Sequence, residues 1–394
     1  MKANLKSILE KLSSDNAKEK YSSLLSSIIC IVSGLILGSL ILLIIDPENA
    51  GGVLKSILTG GFADPQGAAY GLGNQLAYVA PLICVGLSVL FAYKTGMFNI
   101  GVAGQYTLGA FGALYFAIAL KCPWWLCILA AMLFAAIWGA IPGLLKAYFK
   151  INEVITCIMT NWIGLYLVND LFQNKIKISQ KLGTGDRAPT VSSIFYNSKS
   201  LSLESVNTDA MLPSLNFAGS RLTIAIFIAI IAIIAIYIIL QKTVLGYELK
   251  ACGLNKHGAK YAGIKENRNI ILSMAISGAL AGLAAALLYL TNIEQFPQDT
   301  TKLSVLAFNG IPIAFMASLN PIGVLFSAFF VAHIQQGAGL LVGSVFSFEM
   351  SSIFTGIIIY FFAFSPLVLS YVKKLIMIIK KNKEEGGIKE WIYH

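Results

Sequence analysis

One stretch of 22 residues without a charge, residues 24–45, constrains the fold more than any other feature of this sequence. A helix of that length rises about 1.5 Å per residue and crosses the hydrocarbon core of a bilayer, which is about 30 Å thick. Similar runs recur along the chain, of whose residues 57% are hydrophobic and 12% charged. Because a soluble domain carries about 25% charged residues, the composition argues against a soluble enzyme. It predicts an all-α polytopic integral membrane protein surrounded by lipid.

We predict ten membrane spans, which together form a transmembrane domain over residues 24–372. The polar segment 1–23 precedes this domain, and the basic tail 373–394 follows it. The polar segment 94–99 and the pair at 320–321 interrupt apolar sequence only briefly, which is typical of broken helices at membrane depth. The predicted spans are 24–45, 76–93, 100–120, 124–149, 154–172, 221–240, 269–290, 303–319, 321–343 and 351–372.

The distribution of basic residues predicts the orientation of the spans. The net charge is +10, and 20 of the 29 Lys and Arg residues fall on one side of the ten-span topology. Because basic loops are retained in the cytoplasm, both termini and the loop 241–268 are predicted to be cytoplasmic, and the loop 173–220 external. Since membrane topology accounts for the positive charge, we predict no binding to nucleic acid.

Ionisable side chains are scarce inside the predicted spans. Lys146 and Asp170 lie near span ends, and His333, which we predict to be a packing residue, is deeper. Ion-driven carriers usually place charged groups at mid-membrane, so the pattern favours a transporter that is powered by a partner. The chain has no Gly-Lys dipeptide and hence no phosphate-binding P-loop, and its His and Cys residues form no catalytic or metal-ligand pattern. We predict no enzymatic activity, no metal site and no cofactor of its own.

Neutral polar residues near the predicted breaks are the candidates for contact with a transported solute. Amides can hydrogen-bond an uncharged, hydroxyl-rich or base-bearing solute without the desolvation cost of a charge. The alternative is that they bond only to neighbouring helices. The residues assigned to the translocation path are Asn99, Gly101, Gly104, Gln105, Asn161, Asn309 and Gly310.

Two further patterns concern the packing of the spans. Glycine pairs at four-residue spacing predict close approach between helices; they are Gly34/Gly38, Gly139/Gly143, Gly278/Gly282 and Gly339/Gly343. The segments 98–102 and 319–324 also resemble each other, and each opens a span after a short polar break. This resemblance is a sign of internal duplication.

The loop 241–268 is more elaborate than a linker between spans requires. Leu245, Leu249 and Cys252 share one face of a predicted short helix that Gly253 is expected to end in the left-handed conformation. Asn255 is predicted to cap a second helix that ends near Gly263. The two helices predict a compact surface for a cytoplasmic partner, and the alternative is a solvated basic loop.

Four segments of the chain closely resemble one family. They are FAYKTGMFNIGVAGQ at 91–105, IWGAIPGLLKAYFKINEVITCIMTNWIG at 137–164, GYELKACGLNKHGAKYAGI at 246–264 and SGALAGLAAA at 277–286. The resemblance, over about residues 20–375, is to the permease subunits of bacterial ABC importers in the ribose/branched-chain amino acid class. Within this class it is closest to the nucleoside-importer branch served by basic-membrane-protein lipoproteins.

The resemblance implies a permease of the type II ABC importer fold in a bacterial plasma membrane. Such a chain forms half of a translocation pathway and pairs with a second permease as a heterodimer. Its other partners are a cytoplasmic ATPase that uses ATP and an extracytoplasmic substrate-binding lipoprotein. The loop 241–268 would dock in a groove of the ATPase. The residues that match this coupling motif are Gly246, Glu248, Leu249, Ala251, Gly253, Asn255, Ala259, Tyr261, Ala262, Gly263 and Ile264.

The sequence departs from the family at three places near the predicted path. An acid is frequent where Ala103 stands, Asp-Gly is usual where Asn309 and Gly310 stand, and a glycine-rich turn is replaced by Ala317 and Ser318. These changes bear on the solute, so simple sugars and branched-chain amino acids remain alternatives to nucleosides. The external loop either docks the lipoprotein or only connects two spans.

Overall fold

The computed structural model describes most of the chain between residues 29 and 339. It describes 29–172 apart from six positions between 31 and 49, positions 200, 201 and 203, residues 207–297 apart from 292 and 295, residues 301–339, and ten single positions between 356 and 374. Contacts between α-carbons divide the chain into a main unit, Thr59–Gly337, and a terminal unit formed by Met1–Leu58 with Ala338–His394.

The described part of the terminal unit contains the apolar helix α1 (Val32–Ile41) and most of α2 (Ala50–Thr59). Gly34 and Gly38 are buried, whereas Ile36 is 57% exposed. An apolar helix surface of this kind is stable where lipid or another apolar surface covers it. The predicted span 24–45 is helical where the structure describes it over α1, and most of the predicted span 351–372 lies outside the described residues.

The first half of the main unit is a series of four helices joined by short turns. They follow the predicted spans closely, except that the first begins at residue 68 rather than 76 because the polar residues before the apolar run also adopt helical conformation. A 3-10 turn, Gly60–Ala63, precedes them. The helices are α3 (Ala68–Lys94), α4 (Val102–Ile118), α5 (Trp124–Phe149) and α6 (Glu153–Asp170).

The second half contains long helices separated by shorter ones. The predicted span 303–319 is broken at Asn309, as expected, into two short helices. A two-residue strand β1 (Ser200–Leu201) pairs antiparallel with β2 (Phe296–Pro297). The helices are α7 (Ala225–Lys242), α8 (Val244–Leu254), α9 (Lys256–Tyr261), α10 (Glu266–Tyr289), α11 (Val305–Phe308), α12 (Gly310–Met316) and α13 (Pro321–Gly339).

Among the described residues, four helices are both long enough and apolar enough to cross a membrane, namely α3, α5, α7 and α10. The shorter apolar helices are α1, α4 and the segment Val305–Met316. The outward faces of α5 and α7 expose large apolar side chains such as Leu133, Ile137 and Ile231, which are 59–63% exposed. Lipid stabilises such faces, so the predicted all-α membrane architecture is confirmed, and the number of ten spans stays a prediction.

Helix α10 lies at the centre of the main unit and packs against α3, α4 and α5. Glycines permit this close approach, because a Cβ on Gly139 would lie 2.6 Å from the Met274 carbonyl oxygen. A Cβ on Gly109 would overlap the α-carbon of Gly282. These contacts confirm the predicted packing at the glycine pairs of α5 and α10. A Cβ on Gly339 would have no heavy atom within 4 Å in the described structure, and Gly343 lies outside the described residues.

Candidate coupling surface and translocation path

The loop between α7 and α10 is the helix pair that the sequence predicts. The Thr243 hydroxyl accepts a hydrogen bond of 3.2 Å from the backbone N–H of Gly246 and caps α8. Asn255 Oδ1 accepts one of 3.0 Å from the N–H of Gly258 and caps α9, as predicted. Gly263, which follows α9, has a φ of 79°, so the predicted glycine end of this helix is also confirmed.

The prediction for Gly253 was wrong, because this residue lies inside α8 and does not end it. The helix continues to Leu254, and Asn255 follows in an extended conformation. The reason is a close approach: a Cβ on Gly253 would overlap the carbonyl oxygen of Lys94 and lie 3.1 Å from the backbone nitrogen of Gly96. Helix α8 is therefore seated directly on the break between α3 and α4.

A buried polar contact fixes α8 to the start of α10. Asn269 is fully buried, and its Nδ2 donates a 3.0 Å hydrogen bond to Glu248 Oε2. Cys252 Sγ lies 3.8 Å from the same nitrogen, and burial raises the pKa of the Cys252 thiol. Asn269 was not singled out in the sequence, where its only signal is an amide in the first turn of a long apolar helix.

The coupling-motif residues divide into an inward and an outward group. Gly246, Leu249 and Ala259 are buried, as expected for the inner face of the pair. Intermediate positions are Glu248, Ala251 and Ile264, and the exposed positions are Gly253, Asn255, Tyr261, Ala262 and Gly263. The outward group includes Tyr261, which is 95% exposed. Gly253 is also packed against the break, because its α-carbon faces the backbone of Lys94 and Gly96. The geometry therefore places one part of the motif, including Gly253, against the bundle and leaves the other exposed residues accessible.

Asn99 and Gln105 belong to a single buried network at the break between α3 and α4. Asn99 Nδ2 donates to Gln105 Oε1 at 2.8 Å and to Ser277 Oγ at 2.7 Å. Gln105 Nε2 donates back to Asn99 Oδ1 at 3.1 Å. Both amides are at most 1% exposed, and Asn99 makes bonds through both its oxygen and its nitrogen.

Asn161 completes this amide network (Asn99, Gln105, Asn161 and Ser277) by binding the backbone of the break. Its Oδ1 accepts a 2.7 Å hydrogen bond from the N–H of Gly104, and its Nδ2 donates to the carbonyl of Ile100 at 3.0 Å. The first N–H groups of a helix have no partner within the helix, so Asn161 satisfies one of them for α4. A Cβ on Gly104 would lie 2.8 Å from the α-carbon of Asn161, which explains the glycine.

Hydroxyl groups extend this contact between the break and α10. Ser88 Oγ donates to the carbonyl of Ser277, and Ser277 Oγ is placed 2.7 Å from the carbonyl of Ser88. Thr95 Oγ1 donates to Ser273 Oγ at 2.8 Å. Sequence reasoning missed these small hydroxyl residues, since nothing in their local sequence distinguishes them from other packing residues. They tie the polar segment 94–99 to the central helix.

Asn309 and Gly310 occupy the second interruption and are held differently. Gly310 packs against α3, where a Cβ would lie 2.6 Å from the carbonyl oxygen of Val85. Asn309 is 8% exposed, and its Nδ2 has no hydrogen-bond partner in the described structure. Gln75 Nε2, buried on α3, also lacks a partner there, although its Oε1 lies 3.3 Å from His333 Nδ1. This contact agrees with the packing role predicted for His333.

A tyrosine–glutamate cluster (Tyr78, Tyr106, Tyr289 and Glu294) lies at the end of α10 that is opposite to α8. The Tyr78 hydroxyl lies close enough to the carboxylate of Glu294 for the two groups to interact electrostatically. The rings of Tyr106 and Tyr289 have centroids 5.9 Å apart. Burial raises the pKa of the Glu294 carboxyl, and the neighbouring Tyr78 hydroxyl opposes that rise. The sequence analysis did not identify this cluster, because its members come from three separate segments.

The described part of the predicted external loop packs on the same end of the bundle. Asn207 Nδ2 donates to the carbonyls of Ala117 and Cys122 at 2.8 and 3.2 Å. The N–H of Leu212 donates to the carbonyl of Leu290 at 2.9 Å. Residues 207–220 are thus bonded to the helix ends and do more than connect two spans.

These features define a class of protein: a multi-pass helical membrane subunit with interrupted helices and a capped helix pair seated on one interruption, as in a transport permease. Comparison with known proteins identifies the family of this chain. Residues 71–363 match the family described as the permease component of branched-chain amino acid transport systems, and the chain belongs to this family. No solved structure matches it significantly.

The chain is similar to several characterised permeases. It is 34% identical to the guanosine ABC transporter permease protein NupP of Bacillus subtilis, over 91% of this chain and 98% of that protein. It is also 34% identical to the nucleoside ABC transporter permease protein NupB of Lactococcus lactis, over 87% of this chain and 92% of that one. A second Bacillus subtilis guanosine permease protein, NupQ, is 28% identical over 66% of this chain and 79% of its own length.

Proposed function

We propose that this chain is one permease subunit of an ATP-powered importer of nucleosides in a bacterial plasma membrane. The similarity to NupP and NupB supports the substrate class. The buried polar side chains of the described residues are Ser, Thr, Asn and Gln, which suit an uncharged solute because they hydrogen-bond it without a charge to desolvate. The observation that carries the coupling role is the seating of α8 on the break between α3 and α4.

The outward face of α8 and α9 is the proposed contact with the ATPase. Val244, Tyr247 and Leu254 are 68–89% exposed, and Tyr261 is 95% exposed. With the loop in the cytoplasm, these apolar groups face water rather than lipid. A cluster of exposed aromatic and aliphatic side chains is typical of a protein interface. Docking of the ATPase would bury them.

The contacts beneath this face supply a route for motion into the membrane. Gly253 lies against Lys94 and Gly96 with no side chain between the two backbones, so a shift of α8 displaces the segment 94–99. That segment is bonded through Thr95 to Ser273 on α10. ATP-driven movement of the partner thereby reaches the helix break, and the energy comes from ATP bound and hydrolysed by the ATPase.

The other proposed partners are a second permease and an extracytoplasmic substrate-binding lipoprotein. The chain resembles two different guanosine permease proteins of one organism, NupP and NupQ. This supports a heterodimer, in which each permease forms half of the translocation path. The packed segment 207–220 lies on the side where a lipoprotein would dock. Both termini are proposed to be cytoplasmic.

Simple sugars and branched-chain amino acids are the second candidates within the family, and an ion-coupled carrier is the third. A zwitterionic amino acid would favour charged partners along the path. Uptake of radiolabelled nucleoside into vesicles that contain the whole complex separates the three. The proposal expects uptake that requires ATP and persists with an uncoupler, with little competition from ribose or leucine. Loss of uptake with the uncoupler alone would favour the carrier.

The coupling contact is tested by Gly253→Val in the same vesicles. The new Cβ overlaps the Lys94 carbonyl, so we expect at least a tenfold loss of uptake while ATPase still co-purifies through the untouched outward face. Gly258→Ala is the matched control, because its Cβ would lie 3.4 Å from the Asn255 side chain, an ordinary contact. Normal uptake by Gly253→Val would contradict the proposed transmission of motion from α8 to the segment 94–99.

The docking face is tested separately by Leu254→Ser combined with Tyr261→Ser. Both side chains are exposed and make no contact that holds α8 or α9 together. We expect the double variant to insert normally and to lose most of the co-purified ATPase. Retention of ATPase at the level of the unmodified protein would show that the contact lies elsewhere.

A further inference from the structure

The docking face proposed for the ATPase has basic side chains beside its apolar groups. On α8, Lys250 is three residues after Tyr247 and four before Leu254, so the three side chains share one side of the helix. On α9, Lys260 directly precedes Tyr261, and both side chains are exposed. An apolar centre with a polar rim is the usual anatomy of a protein interface.

The charged side chains that are exposed on this side of the main unit are all basic. This holds for the described residues between 59 and 337 under the predicted orientation. They are Lys150, Lys242, Lys260, Lys265 and Arg268. The opposite side of the same unit exposes both signs of charge, for example Asp209 and Glu294 as well as Lys121. The excess of positive charge is therefore a property of the side that carries the docking face.

The acidic residues described on this side are half-buried, and two of them are engaged within the protein. Glu153 Oε2 lies 2.6 Å from Lys146 Nζ, and Glu248 Oε2 accepts the bond from Asn269. Glu266 lies in the first turn of α10 and is also half-buried. Membrane topology requires basic residues here but does not require that acidic ones be withdrawn, because Asp and Glu contribute little to orientation. Topology alone thus leaves the single sign of the exposed charge unexplained.

We propose that the ATPase surface that receives α8 and α9 carries carboxylate groups opposite Lys250 and Lys260, and that these charges steer the ATPase onto the permease. An acidic surface is attracted by the basic rim, whereas a basic surface is repelled. Charges at a rim act mainly on the rate of association and on its salt dependence. The exposed apolar groups between them supply most of the affinity. This inference rests on the proposed function, in which α8 and α9 form the ATPase contact.

Anionic lipid headgroups are the other acidic surface that basic side chains near a membrane attract. The position of α8 favours the ATPase. Gly253 seats this helix on the break between α3 and α4, so its exposed side is turned away from the ends of those helices. Lipid surrounds the flanks of a bundle, whereas a cytoplasmic protein approaches its end. The structure therefore directs Lys250 and its apolar neighbours toward a protein partner.

The charge reversal Lys260→Glu tests the proposal in the complete permease pair, reconstituted in vesicles of uncharged lipid. The rate at which the purified ATPase of the same transporter associates is measured at about 0.05 M and about 0.5 M salt, since salt screens exposed charges. For the unmodified permease, we expect association to be about tenfold slower at high salt. Lys260→Glu should lower the rate at low salt about fivefold and leave little salt dependence.

Two further variants keep this test specific to charge at the docking face. Lys121→Glu is the matched control, because it makes the same charge reversal at an exposed lysine on the opposite side, and it should leave the rate unchanged at both salt concentrations. Lys260→Gln removes the charge without reversing it, so its rate at low salt should lie between those of the unmodified permease and Lys260→Glu.

Compensating changes in the ATPase locate the acidic groups. In the Lys260→Glu background, the carboxylates of the ATPase are replaced one at a time by lysine. We expect at least one replacement to restore the rate of association with this variant and to slow association with the unmodified permease. Failure of every replacement to do so would overturn the proposal.

The remaining outcomes separate the charge complementarity from the coupling function. If the combined Leu254→Ser and Tyr261→Ser variant loses the ATPase while Lys260→Glu associates at the normal rate, the docking face stands and the acidic partner surface is wrong. If neither variant affects the ATPase, the proposed docking face is itself wrong. An equal loss at both salt concentrations in Lys260→Glu would indicate a defect in folding and would also overturn steering by charge. An effect seen only in vesicles that contain phosphatidylglycerol would assign the lysines to lipid headgroups.

Discussion

The two polar regions at opposite ends of α10 differ both in the groups that build them and in how those groups are satisfied. In the amide network, Asn99 and Gln105 bond to each other, and Asn161 bonds to the backbone of the helix break. In the described structure, the Tyr106 hydroxyl of the tyrosine–glutamate cluster and Asn309 Nδ2 at the second interruption have no hydrogen-bond partner. Buried polar groups are nearly always satisfied in folded proteins, and the amide network follows this rule, as expected of a structural joint. Asn269 Oδ1, beside α8, also lacks a partner in the described structure, so an unpaired atom alone does not define a ligand site.

This contrast changes the interpretation of the predicted translocation path. Asn99 and Asn309 both adjoin an interrupted helix, and the amino-acid sequence alone predicts the same role for both, contact with the transported solute. Asn99 has no spare hydrogen-bonding capacity for a solute, whereas Asn309 Nδ2 does. We therefore propose that the amide network holds the break between α3 and α4 and that a solute contact lies at Asn309.

The largest expected effect tests which end faces which side of the membrane. In a background with Cys122→Ser, we expect His257→Cys to react with an impermeant maleimide only from the cytoplasmic side. Lys121→Cys, at the turn between α4 and α5, should react only from outside. Each cysteine should be labelled either in intact cells or in inverted vesicles, but not in both. A reversed result for either cysteine would show that the predicted cytoplasmic and external ends of the bundle are exchanged.

Next in size is the loss of stability expected when the amide network is broken. Asn99→Leu leaves the buried Gln105 amide without the partner of its oxygen and its nitrogen, at a cost of about 1–3 kcal/mol for each unsatisfied group. Ser277 keeps its bond to the carbonyl of Ser88. We expect a clear fall in melting temperature and in yield, measured on the purified permease. Asn267→Leu, an exposed amide at the start of α10, is the matched control and should change neither.

Uptake per folded transporter distinguishes a structural role of Asn99 from a role in the solute path. If Asn99→Leu keeps its melting temperature and instead loses uptake several-fold, the amide belongs to the solute path. The break between α3 and α4 would then be held by Asn161 and the serine contacts alone.

Much of the fold follows from local sequence, and much of the site does not. The break at 94–99, the cap at Asn255 and the glycine pair on α10 depend on neighbouring residues and were predicted. The satisfaction of Asn99 depends on Ser277, 178 positions away, and no local pattern reveals it. Glu294 was missed for the same reason, since only the fold brings it to Tyr78.

A smaller effect is expected at Asn309. Asn309→Leu removes a donor that has no partner in the empty structure, so stability should change little while nucleoside uptake falls about threefold to tenfold, the size of one neutral hydrogen bond. Asn309→Ser retains a donor and should lose less uptake. A marked fall in melting temperature with uptake per folded transporter unchanged would place Asn309 with the structural amides.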